Sequence, residues 1–343
     1  MTSKDRQYSR QNLSEVGEKA LIRDFIKPLF NSADDPAGVG DDCAMVPFGD
    51  EVVLLSTDRV PSDLTAFKLG ILDFHGLGDY LARLNLSDIA ACGGRAVGLL
   101  LNLGLPNDIA YEDVRALCRG FLGCAERHGA TVLGGDITSA CELSISATSI
   151  GRAVRGQVLS RRGARPGHSI FISRPLGLTP TAFRVFLGKL ESQFSTDSLA
   201  LLRRQFTDMQ PMLSLGQLLG ASGQCGACMD NTDGIGQSLS ELSEASKCAF
   251  VVHADALKIS SVVEQLSRAI SVRPLNMVFD GGADFSLVGT LHGTWTSESA
   301  SARFNHPLEI IGIVESGQGV WSDEGQRTPL AFRGWNYFSA HSQ

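Results

Sequence analysis

From Val52 onward, apolar runs of strand length alternate with longer stretches of helical period. Residues 52–56 read as a buried strand, 78–92 as a helix, 97–103 as a strand, and 111–128 as a helix that Gly129 terminates. A buried strand at 131–133 and an alternating one at 143–150 follow. The second half repeats the mixture: strands at 169–173, 249–253, 285–291 and 308–314, and helices at 234–246 and 256–270. A helical stretch of variable polarity fills the space between residues 173 and 234.

Strands and helices therefore mix in both halves, which predicts an α/β (α+β) protein. Arg161-Arg-Gly-Ala-Arg-Pro-Gly167 is rich in turn formers and interrupts the pattern, placing a domain boundary near 152–168. A chain of 343 residues also exceeds the size at which one hydrophobic core stops growing. The expected layout is a polar N-terminal arm at 1–35 with one amphipathic piece at 20–30, an N-terminal domain at 36–155 and a C-terminal domain at 156–343.

Charge narrows the function. A formal net charge of -7 opposes nucleic acid as the main partner, since phosphate backbones demand a concentrated basic surface. No stretch approaches the ~18 to 20 apolar residues of a membrane span, and the first residues lack the apolar core of a secretion signal, so the expected location is the cytoplasm. Eight cysteines in a chain this long do not make a disulfide scaffold. Cys225-Gly-Ala-Cys228 could be redox-active or half of a zinc site, but no second CxxC accompanies it, and a structural role is the simpler reading.

The chemistry lies in the aspartates. Gly38-Val-Gly-Asp-Asp-Cys-Ala44 puts Asp41 and Asp42 in a glycine turn; an ordinary surface turn is the rival reading. The strand at 52–56 delivers Ser56, Thr57 and Asp58 at its C-terminal end, where α/β proteins bind ligands. Leu77, Leu81 and Leu84 form an apolar helical stripe whose next position is Asp88. A carboxylate on a buried face needs a bound cation or a salt bridge, to Arg83 or Arg95. Val132-Leu-Gly-Gly-Asp136 opens a strand into a glycine pair and a carboxylate, and Asp230-Asn-Thr-Asp-Gly234 sets Asp230, Thr232 and Asp233 before a helix, either to cap it or to hold a metal-bound phosphate. Together these imply a site for several magnesium ions. There is no G-x-x-x-x-G-K-[ST] loop, no kinase glycine loop and no His-Arg-Asp catalytic loop.

In order, Gly38-Val-Gly-Asp-Asp-Cys-Ala44, Ser56-Thr-Asp58, Asn85-Leu-Ser-Asp-Ile-Ala-Ala91, Gly134-Gly-Asp-Ile-Thr138, Ser160-Arg-Arg-Gly-Ala-Arg-Pro-Gly167, Asp230-Asn-Thr-Asp-Gly234 and Gly281-Gly-Ala-Asp284 resemble the motifs of thiamine-monophosphate kinase. That family shares a superfamily with aminoimidazole ribonucleotide synthetase, selenophosphate synthetase and the hydrogenase carbamoyl-dehydratase maturation protein. The resemblance implies a two-domain fold of the aminoimidazole ribonucleotide synthetase type, an N-terminal domain that pairs into a homodimer, and the cofactors ATP and Mg²⁺. It implies Asp42, Ser56, Thr57, Asp58, Asp88, Asp136, Asp230 and Asp233 as magnesium ligands, with Asp58, Asp88 and Asp233 central to catalysis. Gly135, Asp136, Arg161 and Thr232 are the expected ATP-phosphate contacts, and Asp63, Ala283, Asp284 and Trp335 line the acceptor side.

The acceptor side departs from that family's pattern. The family carries a histidine in a Val-x-x-x-His-Phe segment where this chain reads Val60-Pro-Ser-Asp-Leu-Thr-Ala-Phe67. Its Gly-Gly-Glu-Asp-Tyr-Glu is Gly281-Gly-Ala-Asp-Phe-Ser286 here, and its Gly-Tyr-Asp is Gly334-Trp-Asn336. The expected activity is transfer of the ATP γ-phosphate to a small molecule other than thiamine monophosphate. Two alternatives remain: ATP-dependent activation of an amide oxygen, as in the synthetase relatives, and nucleotide binding without catalysis.

Overall fold

The computed structural model describes residues 11–30, 40–61 and 63–332. Gly38 and Val39 of the first motif and Gly334, Trp335 and Asn336 of the last lie outside them.

The first half builds a five-stranded sheet from β1 (Ala44–Phe48), β2 (Glu51–Val60), β3 (Arg95–Leu105), β4 (Thr131–Ser139) and β5 (Ser144–Val154), in the order β1-β2-β5-β3-β4. Only β3 and β4 run parallel. Their connection passes through α2 (Tyr111–Arg127), which packs on α1 (Phe74–Ala91) against one face of the sheet. The burial along β5 alternates residue by residue up to Ala153, as expected of a sheet with one covered face. Helices α1 and α2 touch backbone to backbone. A Cβ on Gly78 would fall 2.0 Å from the Leu117 carbonyl oxygen, and one on Gly120 would fall 1.9 Å from that of His75, so neither position admits a side chain.

The second half holds β6 (Ser169–Ile172), α3 (Leu178–Leu187), α4 (Thr196–Thr207), α5 (Leu213–Ser222), β7 (Cys225–Asp230), α6 (Ile235–Ser246), β8 (Ala249–His253), α7 (Ser261–Ile270), α8 (Pro274–Asp280), β9 (Leu287–Leu291), α9 (Ser297–Phe304), β10 (Glu309–Glu315), β11 (Gly319–Asp323) and β12 (Arg327–Pro329). Its seven-stranded sheet runs β12-β11-β8-β10-β6-β9-β7. Among the described residues no helix is long and apolar enough to cross a membrane.

Helix α1 joins the halves. It is buried on nearly every side, and one hydrophobic core runs from Leu54 and Leu99 through Leu81 and Leu86 to Phe171 and Leu287. The outward pull that a helix normally exerts on its polar residues is missing here, so Arg83, Asn85 and Ser87 are all enclosed.

Several elements differ from the sequence expectation. β4 does not end at residue 133 but continues through Gly134 and Gly135 to Ser139, because parallel pairing with β3 holds the glycines in the ladder. The Cys225–Cys228 segment is a strand, β7, although its small residues carry no clear period. Helix α7 starts at Ser261 rather than 256, since the Ser260 hydroxyl caps it and residues Ala254–Ala256 form a separate 3-10 turn. β9 begins at Leu287, two residues late, because Ala283 and Phe285 both take left-handed backbone angles, φ 58° and 50°.

Candidate functional site

Three elements deliver carboxylates to one point. The turn before β1 supplies Asp42, the inner face of α1 supplies Asp88, and the end of β7 supplies Asp230; their carboxylate oxygens lie within 4.8 Å of one another. Asp58, on β2, adds a fourth carboxylate and shares a hydrogen bond with Asp88. Ser56 Oγ donates to Asp88 Oδ2, and Ser87 Oγ donates to Asp230 Oδ2 at 2.5 Å. The Asp58 N–H is held by Asn85 Oδ1 at 3.2 Å. Asp42 Oδ2 is buried with no protein partner.

Four carboxylates so placed repel one another. Burial, then neighbouring charge, raises the carboxyls of Asp88 and Asp230 well above the usual range; Asp42 and Asp58 are also raised, burial again being the largest cause. Asp41 is lifted to about 7, by burial first and the Asp42 charge second. Among the described residues, the guanidinium reaching in is that of Arg161, whose Nη2 donates to Asp42 Oδ1 at 2.6 Å, whose Nη1 bonds Glu241, and whose backbone N–H meets Asp41 at 3.2 Å. Neither proposed salt bridge for Asp88 forms: Arg83 turns away to Asp79, at 2.7 Å, and to the Phe206 and Met209 carbonyls, while Arg95 is exposed. A hard divalent cation suits this donor set: all oxygens, crowded carboxylates, and an Asp42 Oδ2 with no protein partner.

Metal-free protein should therefore lose stability as pH rises. A carboxyl whose folded-state pKa lies above its unfolded value contributes stability in full below about pH 4, and loses it as pH passes the folded value, about 7 for Asp41. Glu241 is the opposite case: burial opposes its charge, but Arg161 and Lys19 hold it down to about 2, so its contribution is constant across this window. Without divalent ions the melting temperature should fall by several degrees between pH 5 and pH 8, and saturating Mg²⁺ should flatten the trend. A metal-free melting temperature that holds steady or rises would contradict the charge assignment.

The other expected residues divide. Thr232 lies in the turn between Asp230 and Asp233, where its carbonyl accepts the Ala283 N–H at 2.8 Å. Asp233 is partly exposed at the rim and binds Lys19. Thr57 does not join the cluster. Strand alternation turns it away from Ser56 and Asp58, and its hydroxyl bonds the Ala147 carbonyl and the Thr148 hydroxyl. Gly135 and Asp136 are also apart from it in a single chain: β5 and β3 stand between β2 and β4, which is three strand spacings or roughly 14 Å. Gly135 is pressed so close to β3 that a Cβ would fall 1.7 Å from the Leu101 carbonyl oxygen.

On the acceptor side, Asp63 is exposed and lies 3.8 Å from Lys68. Asp284 does not open toward a substrate, because one oxygen takes the Ser286 N–H and hydroxyl and the other takes Asn231 Nδ2 at 3.0 Å. Trp335 falls outside the described residues. Sequence reasoning missed Glu241, Ser87, Asn85 and Lys19. Ser87 and Asn85 carried a signal, as polar neighbours of Asp88 on an otherwise apolar helix; Glu241 and Lys19 looked like ordinary surface charges.

Two mixed sheets, with carboxylates gathered where α1 crosses between them, form an α/β fold of the aminoimidazole ribonucleotide synthetase type. Residues 40–153 match the family described as AIR synthase related protein, N-terminal domain. The thiamine-monophosphate kinase of Pyrococcus horikoshii is 26% identical over 331 residues, covering 95% of this chain and 97% of that protein. That of Aquifex aeolicus is 27% identical over 328 residues, covering 95% and 99%. AaThiL complexed with AMPPCP and TMP has the same fold, with a TM-score of 0.80 at 24% identity over 95% of this chain and 99% of that one. Over residues 40–153 the chain thus resembles that domain family, and over nearly its whole length it is similar to thiamine-monophosphate kinases.

Proposed function

We propose that the chain is a Mg²⁺-dependent phosphotransferase that moves the γ-phosphate of ATP to a small-molecule acceptor. The convergence of Asp42, Asp88 and Asp230 within 4.8 Å, with Asp58 bonded to Asp88, carries this reading. Held there, divalent cations would neutralise polyphosphate charge and align donor and acceptor oxygens. Asp42, Asp58, Asp88 and Asp230 would hold them, with Asp233 at the rim. Ser56 and Ser87 orient the carboxylates, Arg161 places a fixed positive charge beside them, and Asn85 anchors the β2 backbone at Asp58. The kinase relatives favour phosphoryl transfer over the amide-activating alternative. Product analysis separates the two: a stable phosphorylated acceptor appearing with ADP supports the kinase, whereas free phosphate appearing with ADP supports activation.

The ATP contacts expected of Gly135 and Asp136 lie on the exposed sheet edge β4, beside Leu133, 52% exposed, and Ile137, 70% exposed. An apolar edge strand of this kind supports a homodimer that covers it. Sedimentation equilibrium should give about twice 36.6 kDa, and a monomer at micromolar concentration would contradict the pairing.

A further inference from the structure

Lys19 lies more than two hundred positions before the residues it binds. Its ammonium sits 2.8 Å from Asp233 Oδ2 and 2.8 Å from Glu241 Oε1. Burial opposes its charge, yet Glu241 and Asp233 together hold it above the usual lysine range. Glu241 is also bonded by Arg161, which continues to Asp42, so Lys19 is linked through one acidic side chain to the arginine of the carboxylate cluster. The helical run that carries it, residues 13–30, crosses the site. Eight positions on, the Lys27 stem covers Gly40, where a Cβ would meet Lys27 Cε at 2.3 Å, next to Asp41 and Asp42. Yet the described part of that run through Ile26 has no buried residue, so little apolar area holds it down.

We infer that Lys19 is a built-in stand-in for a divalent cation, and that the run 13–30 is a strap that the metal-loaded nucleotide releases. The inference rests on the proposal that the carboxylate cluster takes divalent ions. In the metal-free chain the ammonium neutralises Asp233 and Glu241, which would otherwise repel each other across the rim. A divalent ion bound to Asp233 puts a second positive charge against Lys19, and like charges at contact distance are mutually exclusive unless one withdraws. Lys19 is on a lightly anchored segment while Asp233 is fixed between β7 and α6, so Lys19 is the group that moves. Its grip makes cation binding weaker than the bare carboxylates would allow, and couples loading of the site to opening of the N-terminal run.

The test is a Mn²⁺ titration of the metal-free protein, followed by electron paramagnetic resonance, on wild type, Lys19→Met, Lys19→Arg and Asp88→Asn. Hydrogen exchange of residues 11–30 with and without Mn²⁺ and AMPPCP accompanies it. Lys19→Met should bind Mn²⁺ about tenfold tighter and Lys19→Arg close to wild type, and exchange in the run should quicken on loading of wild type. Equal or weaker Mn²⁺ binding by Lys19→Met overturns the inference, as does slower exchange on loading, which would instead make Lys19 a ligand of the polyphosphate. If Asp88→Asn binds Mn²⁺ as wild type does, the carboxylate reading itself fails and takes the strap with it.

Discussion

Asp88→Asn should lose about three orders of magnitude in turnover while keeping its fold, and should melt no lower than wild type when metal-free. The two expectations come from one geometry. Asp88 lies among Asp58, Asp42 and Asp230, and burial with those three charges raises its carboxyl well above the usual range. Replacing it by a neutral amide of the same shape removes repulsion from the empty site, so stability is kept or gained. The same replacement removes a charged oxygen that a cation needs. Losing one preorganised electrostatic group at a reacting centre costs about 10² to 10³ in rate, and a metal ligand belongs at the upper end. Asp58→Asn should behave alike. ATP consumption with an identified acceptor and thermal melting check both; wild-type turnover in either variant would remove these residues from the metal site.

Thiamine monophosphate should be a poor acceptor, by roughly a hundredfold or more in kcat/KM relative to the enzyme's own acceptor. Ala283 offers a methyl where the related family carries a glutamate, and its own N–H is committed to the Thr232 carbonyl at 2.8 Å. Its neighbour Asp284 is buried and turned inward, its oxygens already accepting from Ser286 and Asn231. The histidine expected near Phe67 is absent as well. A substrate group left unpaired costs about 1 to 3 kcal/mol, so two such losses multiply to a hundredfold or more. ATP binding should be unaffected, because Arg161, Asp42 and Asp230 are all in place. The check is direct measurement of thiamine diphosphate formed under saturating Mg-ATP. A specificity constant above about 10⁴ M⁻¹s⁻¹ would show that thiamine monophosphate is an ordinary substrate of this chain.

Most strands and helices of the first half after Val52 were legible: α2 and β5 each have a covered and an open face, so their hydrophobic period reports the geometry, whereas β1, mostly exposed, gave no such signal. Helix α1 is the instructive case. Its stripe Leu77, Leu81 and Leu84 predicted Asp88 on the inner face, and the structure sets it there beside Asp42 and Asp230. Small residues hid β7, since Cys225-Gly-Ala-Cys carries no alternation. Thr57 stands apart from Ser56 and Asp58 within the chain because strand geometry sends adjacent side chains to opposite faces, a separation that reading the three residues together did not convey. Asp136 was placed with the others by the motif resemblance; sheet order sets it apart within one chain, and order among strands is a property of long-range pairing that no local pattern encodes. Glu241 and Lys19 were invisible for the same reason: each resembles a solvated charge until the fold brings the N-terminal run over α6.

The most direct test is a crystal structure with Mn²⁺ and AMPPCP, using the anomalous signal of manganese to locate the ions. Peaks bounded by Asp42, Asp58, Asp88 and Asp230, with the triphosphate beside Arg161, are the predicted result; a nucleotide bound elsewhere, with no manganese among these four carboxylates, would contradict it.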